Sequence, residues 1–158
     1  MSKETEQNGL NVKLIADEVV RVLTPLCENI LVVGSIRRLK EEPNDVDIVL
    51  ISASKDKIQT ELSKLGSRLQ GGDKKEAWEV NGVKVELYYA TEDTWGAFVL
   101  MYTGSKEYNI SMRAKAKSMG MSLSQYGLSN SDKVVVASKT EAEIFEALDM
   151  NYREPEER

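Results

Sequence analysis

The 158 residues are enough for one domain or two small ones with a real core, and their 41% hydrophobic and 30% charged content is that of a soluble globular protein. The chain has no histidine, which excludes Ser–His and Cys–His nucleophile pairs, imidazole acid–base chemistry and His-containing zinc sites. Its one cysteine, Cys27, excludes thiolate zinc sites and an internal disulfide and suits a reducing compartment; the net charge of −5 argues mildly against indiscriminate polyanion binding. Catalysis then falls to carboxylates, Lys, Arg, Tyr, hydroxyls and a hard metal on oxygen ligands.

No apolar run approaches the ~20 residues of a membrane span, and the N-terminus lacks a signal-peptide h-region. Residues 1–9 show no apolar periodicity, and residues 1–10 are expected to be a disordered tail. From Asn11, a candidate N-cap, Val12, Ile15, Val19, Val22 and Leu23, with Leu26, recur at steps of three and four. This predicts an amphipathic helix ending near Pro25. Asn29–Val33 reads as a strand, and Gly34–Ser35 turns the backbone. Small residues there let backbone N–H groups and the Ser35 hydroxyl face an anion, with Arg37 and Arg38 just beyond.

Asp45 to Ile51 is the next strand. Its period of two places Asp45 and Asp47 on one face, roughly 6.5–7 Å apart at Cα, with Val46, Ile48 and Leu50 on the other. Two carboxylates so placed can converge on a divalent metal or a metal pair. Taken singly, an Asp-x-Asp at a strand entrance is usually a solvated turn or cap, and Gly-Ser followed by two Arg a surface turn. Joined by a short loop between two strands, they favour a phosphoryl- or nucleotidyl-transfer site.

A helix follows over Lys55–Leu65, then a weak strand at Ser67–Gln70 and a turn at Gly71–Asp73. Strands Glu76–Val80 and Val83–Tyr89 flank Asn81–Gly82, a strong hairpin signal. Lys84, Glu86 and Tyr88 share the polar face of the second strand. If that face points the same way as Asp45 and Asp47, Glu86 is a third carboxylate; otherwise it is a solvated strand residue, which is what pattern alone favours.

Thr94 precedes a helix through Trp95, Phe98, Val99 and Tyr102, and Thr103–Ser105 interrupts it. A longer helix to about Met119 carries a buried stripe (Tyr108, Met112, Ala116, Met119) and a polar one (Lys106, Asn109, Arg113, Lys117). Residues 101–120 hold Lys106, Arg113, Lys115 and Lys117 against Glu107 alone, a stripe suited to a nucleic-acid backbone. Ser122–Leu128 and Lys133–Ala137 read as a small hairpin, and Glu141–Leu148 as a short helix before a charged tail.

Together these blocks resemble the family X DNA polymerases, the DNA polymerase beta group of the nucleotidyltransferases. The resemblance rests on Gly34-Ser35-Ile36-Arg37-Arg38 followed by Asp45-Val46-Asp47, on Tyr102-Thr103-Gly104-Ser105 through Tyr108-Asn109 to Met112-Arg113-Ala114, and on Tyr152-Arg153-Glu154-Pro155. It spans about residues 11–158 and is closest to the reduced palm-plus-thumb form, in which no lyase or fingers segment precedes the palm and which is known from a small viral polymerase.

The resemblance implies an α+β fold: a nucleotidyltransferase palm over 11–93, with a mixed sheet and two helices, then a small, mainly helical thumb with a short β-hairpin over 94–158. It implies a DNA-directed DNA polymerase that extends a primer 3′-OH, as in short-gap repair, by two-metal catalysis. Asp45, Asp47 and Glu86 would be catalytic and would hold two Mg²⁺ ions, with Mn²⁺ able to substitute. Gly34, Ser35, Arg38, Asn44, Met101, Tyr102, Gly104 and Asn109 would bind the nucleotide, and Lys84, Lys106, Arg113, Lys117 and Tyr126 the DNA. The partners implied are gapped or primer–template DNA and deoxynucleoside triphosphates, for a monomer free of membranes in the cytoplasm or nucleus, a viral origin included. The Gly104–Ser105 peptide is expected to be cis.

The chain departs from the family pattern in three places. Glu86 stands where the family has Asp, Met101–Tyr102 replaces Tyr-Phe, and Lys106 replaces an acidic residue. Two other readings stay open: a nucleotidyltransferase with another acceptor (an untemplated 3′ end, a tRNA or a protein), and a non-catalytic DNA-end-binding module.

Overall fold

The computed structural model describes residues 3–158. It opens with helix α1 (Lys3–Leu23), whose Val12, Ile15, Ala16, Val19 and Leu23 form a buried stripe. The helix starts eight residues before Asn11, so residues 3–10, expected as tail, are helical; residues 1 and 2 lie outside the described residues. Lys, Glu, Gln and Leu are good helix formers even where no apolar stripe marks them. Gly9 lets this extension lie against the loop before the carboxylate strand, since a Cβ there would stand 2.8 Å from the Glu41 carbonyl oxygen.

A 3-10 turn with Pro25 leads into β1 (Cys27–Val33), a single helical turn α2 (Gly34–Arg37) and β2 (Val46–Ser52). Asp45 is therefore the last loop residue rather than the first of the strand. Next come α3 (Lys55–Ser63), capped by the Ser54 side chain, then β3 (Ser67–Gln70), β4 (Lys75–Val80) and β5 (Val83–Tyr89). Asn81 and Gly82 take φ of 49° and 79°, the paired left-handed conformation a two-residue hairpin needs.

The five strands form a mixed sheet in the order β1-β2-β5-β4-β3. β1 runs antiparallel to β2, β2 parallel to β5, and β5 antiparallel to β4. Alternation splits the sheet into two faces. Val46, Ile48 and Leu50 of β2 join Val85 and Leu87 of β5 on the face covered by α1 and by Ile58 and Leu62 of α3. Val33, Val49 and Tyr88 lie on the other, packed with Phe98 and Val99.

Those two residues belong to α4 (Trp95–Thr103), followed by α5 (Lys106–Ser118), the short strands β6 (Ser122–Ser124), β7 (Gly127–Ser129) and β8 (Val135–Ala137), and α6 (Glu141–Ala147). A separate cluster unites Leu100, Met112, Leu128, Ile144, Phe145 and Leu148 from these elements. The expected hairpin is a three-stranded sheet, β6-β7-β8. Its strands of three residues are too short for alternation to reveal a turn between the first two. Met119, expected in the buried stripe, is 38% exposed, because it caps α5 where Gly120 turns the chain at φ 72°. The architecture is α+β, with a mixed palm-like sheet ahead of a mainly helical C-terminal part.

Candidate active site

The carboxylates meet where β2 and β5 lie side by side. Parallel register sets Asp47 opposite Glu86 and Val49 opposite Tyr88, so the polar face of β5 points the same way as Asp47. Glu86 is thus beside the Asp pair rather than a remote surface residue. The Tyr88 hydroxyl lies 3.2 Å from Asp47 Oδ1 and makes a close hydrogen bond to Glu86. Lys84 Nζ is 2.7 Å and Lys75 Nζ 3.5 Å from the Glu86 carboxylate.

These contacts push the two acids apart. Burial, then the Glu86 charge, raises the Asp47 carboxyl to about 6, against the hydrogen bond from Tyr88. Burial also raises Glu86, but hydrogen bonds from Lys84 and Tyr88 and the lysine charges outweigh it and hold the group below the usual carboxylate range. The Tyr88 phenol is pushed up by burial and by its acidic neighbours, so it stays protonated.

Asp47 owes its position to Gly34. That residue has φ 63°, and a Cβ on it would lie 2.4 Å from Asp47 Oδ2. The signature turn and the carboxylate strand are therefore in direct contact. Beyond the turn, Arg38 Nη1 donates to the Thr103 carbonyl at 2.6 Å. A Cβ on Gly104 would stand 3.0 Å from the same nitrogen, and the Gly104–Ser105 peptide is cis, as the resemblance implies.

A cavity of about 590 Å³ opens between these elements. Gly34, Ser35, Arg38, Asn44, Asp45, Asp47, Met101, Tyr102, Gly104, Lys106, Asn109 and Arg113 all line it, as does Tyr88. Glu86 does not line it, but stands next to two residues that do, Asp47 and Tyr88. Lys84 and Lys117 are exposed and lie outside the cavity. Tyr126 is outside it too: its ring packs edge-on to Phe98 at 5.8 Å and its hydroxyl accepts from Lys74 at 3.0 Å. Asn109, expected on the wet face of α5, is buried, its Nδ2 donating to the Met101 carbonyl at 2.8 Å.

Lys40, Glu41, Glu42 and Tyr88 also line the cavity and escaped sequence reasoning. Tyr88 was recoverable from its place two residues after Glu86 on a polar strand face, and it stacks on Tyr102 with ring centroids 3.7 Å apart. The loop residues carry no signal beyond lying between the two halves of the signature.

Two polar atoms of cavity-lining residues, Arg38 Nε and Asn109 Oδ1, are buried without a hydrogen-bond partner. Such orphans are rare in a folded protein and fit a polar ligand in the cavity. Asp45 and Asp47 are a hard oxygen donor set fit for Mg²⁺ or Mn²⁺. Among the described residues no three acidic or thiol side chains are gathered closely enough to enclose a metal ion, and Glu86 is engaged by Tyr88, Lys84 and Lys75.

Residues 98–158 match the DNA polymerase beta thumb model. Along almost its whole length the chain is similar to a Repair DNA polymerase X of African swine fever virus (isolate Tick/South Africa/Pretoriuskop Pr4/1996): 30% identical over 164 residues, covering 96% of this chain and 93% of the viral one. The chain belongs to the family X DNA polymerases. Partial likeness extends to other DNA polymerases. DNA polymerase IV of Saccharomyces cerevisiae is 39% identical over 75 residues (48% of this chain, 13% of that protein). DNA polymerase lambda of Rattus norvegicus is 37% identical over 86 residues (48% and 15%). As a family X chain it is a nucleotidyltransferase of the DNA polymerase class, and no helix among the described residues is long and apolar enough to cross a membrane.

Proposed function

We propose that the chain is a repair DNA polymerase that adds deoxynucleotides to a primer 3′-OH in short gaps, with residues 11–93 acting as palm and 94–158 as thumb. The observation that carries this reading is the cavity itself. It brings the anion-binding turn, the Asp45–Asp47 pair and the start of α5 together, and two of its lining residues, Arg38 and Asn109, carry a buried donor and a buried acceptor without partners. Arg38 and Ser35 would hold the triphosphate, Tyr102 and Met101 would crowd the sugar, and Asn109 would meet the base edge. Lys106 and Arg113, on the cavity rim, would take the DNA backbone, with Lys84, Lys117 and Tyr126 as outlying contacts.

Asp45 and Asp47 would hold Mg²⁺, or Mn²⁺ in its place, with Glu86 the neighbouring third carboxylate. The bound ions would polarise the phosphate and acidify the primer hydroxyl. Such a protein would act as a monomer in the cytoplasm or nucleus.

One observation favours the non-catalytic reading: Glu86 is engaged by Tyr88, Lys84 and Lys75. Incorporation on a one-nucleotide gap, with each nucleotide separately and with Mg²⁺ then Mn²⁺, decides the matter. Templated single-nucleotide addition supports the polymerase. Tight gap binding with no addition in either metal would favour the binding module, and addition to an unpaired 3′ end or a tRNA would favour another acceptor.

A further inference from the structure

Arg37, the residue before the cavity-lining Arg38, does not line the cavity. Its guanidinium forks onto Glu141, at 3.0 Å to Oε2 and 2.6 Å to Oε1, and Nη1 also donates to the Thr103 hydroxyl at 2.7 Å. Glu141 is the first residue of α6, more than a hundred residues away in sequence. A second cation, Arg158, approaches its Oε2 closely. The Arg158 side chain is fully buried, its guanidinium 5.3 Å from the ring centroids of both Phe145 and Tyr152, and its Nε donates to the Arg153 carbonyl at 2.9 Å.

The start of α6 is itself fixed. Gly96 and Ala97, at the head of α4, donate to the Lys139 and Ser138 carbonyls at 3.1 and 3.0 Å, and a Cβ on Gly96 would lie 2.3 Å from the Thr140 carbonyl carbon. Glu141 is therefore a rigid anchor between two guanidiniums. The tail read from sequence as merely charged supplies one of them.

We infer that Glu141 is a positioning residue for the nucleotide site: by gripping Arg37 it sets the turn that presents Arg38 to the cavity. This rests on the proposed role of Arg38 in binding the triphosphate. The two arginines are consecutive and both reach Thr103, one to its hydroxyl and the other to its carbonyl, so α2 cannot tilt without moving Arg38. A buried ion pair is weak evidence for stability as such, and geometric specification is its better-attested use. Removing the Glu141 charge leaves Arg37 and Arg158 facing each other across a neutral side chain, which drives the turn away from α6.

The test is equilibrium titration of dATP with Ca²⁺ into the intact protein, alongside single-turnover incorporation on a gap. Glu141→Gln is expected to weaken dATP binding about tenfold while changing the maximal incorporation rate less, a share of what one charge-assisted hydrogen bond is worth. Arg37→Gln should match it, and in an Arg38→Ala background Glu141→Gln should have no further effect on dATP binding. Glu141→Asp, which keeps the charge, should recover most of the affinity and serves if the Gln variant folds poorly. Wild-type dATP affinity in Glu141→Gln, or a loss that adds fully to that of Arg38→Ala, would overturn the inference. A wild-type protein that binds dATP but does not incorporate it would refute the polymerase reading alone, leaving the binding comparison intact.

Discussion

Gly34→Ala is the sharpest test of the contact between the signature turn and the carboxylate strand. Two separate penalties are expected. Gly34 has φ 63°, and an L-residue in the left-handed region costs about 1–2 kcal/mol. The new methyl would also lie 2.4 Å from Asp47 Oδ2 and 3.1 Å from its Cβ and Cγ, so Asp47 must move. Overpacking of this kind costs about 1–3 kcal/mol. Gly120→Ala supplies the control, because Gly120 has φ 72° but nothing within 4 Å of where its new methyl would stand. Urea denaturation should give a loss of about 1–2 kcal/mol for Gly120→Ala and about 2–5 kcal/mol for Gly34→Ala. A carboxylate displaced by about 1 Å should lower single-nucleotide incorporation on the order of 100-fold in Gly34→Ala alone. Equal stability losses in the two variants, with turnover kept in Gly34→Ala, would refute the close approach and with it the coupling of turn to carboxylate.

Asp45→Ala and Asp47→Ala should each abolish incorporation on a one-nucleotide gap while leaving the circular dichroism spectrum unchanged; near-normal turnover in either would move the site elsewhere. Glu86→Ala should lower turnover strongly with little loss of nucleotide affinity, the signature of an interaction made mainly in the transition state, and Glu86→Asp should keep activity. Equal turnover in wild type and Glu86→Ala would leave a two-carboxylate site. The Asp47 carboxyl, raised to about 6 from 3.8, makes the metal-free folded protein bind a proton more readily than the unfolded chain does. Its contribution to stability is therefore complete below about pH 4 and lost as pH rises through 6, by at most about 3 kcal/mol, and Asp47→Asn should flatten that slope in metal-free melts. Glu86, held low, acts in the opposite sense as pH falls, so a metal-free slope unchanged by Asp47→Asn would refute the assignment to Asp47.

Much of the site was legible because its signals are local. A period of two puts Glu86 and Tyr88 on one strand face, and Asn81–Gly82 sets the hairpin that carries them. The decisive step is not local. Only the parallel pairing of β2 with β5 brings Glu86 beside Asp47, and those strands are separated by α3, β3 and β4. Hydrophobic pattern names the buried face of each strand but not its neighbour. Asn109 shows the same gap from the other side. It lies on a polar stripe at helical spacing, yet it is buried because the end of α4 offers a carbonyl to its amide. Arg158 looks like solvated tail in sequence, and tertiary packing against two aromatic rings makes it part of the interior.

Glu86 shows how a longer side chain can stand where the resemblance expects a third carboxylate and still turn to other partners. Its β5 backbone is held by register against Asp47 on one side and Ala77 on the other, so the strand itself has little freedom to shift. The extra methylene relative to Asp carries the carboxylate out to Lys84, Lys75 and the Tyr88 hydroxyl. Those partners keep the group ionised, which a metal ligand needs, while occupying the oxygens a metal would use. Tyr88 is the pivot of this arrangement. It reaches both Glu86 and Asp47, and its ring stacks on Tyr102 at the cavity wall. A ligand that moves Tyr102 therefore bears directly on the hydroxyl that bridges Glu86 and Asp47.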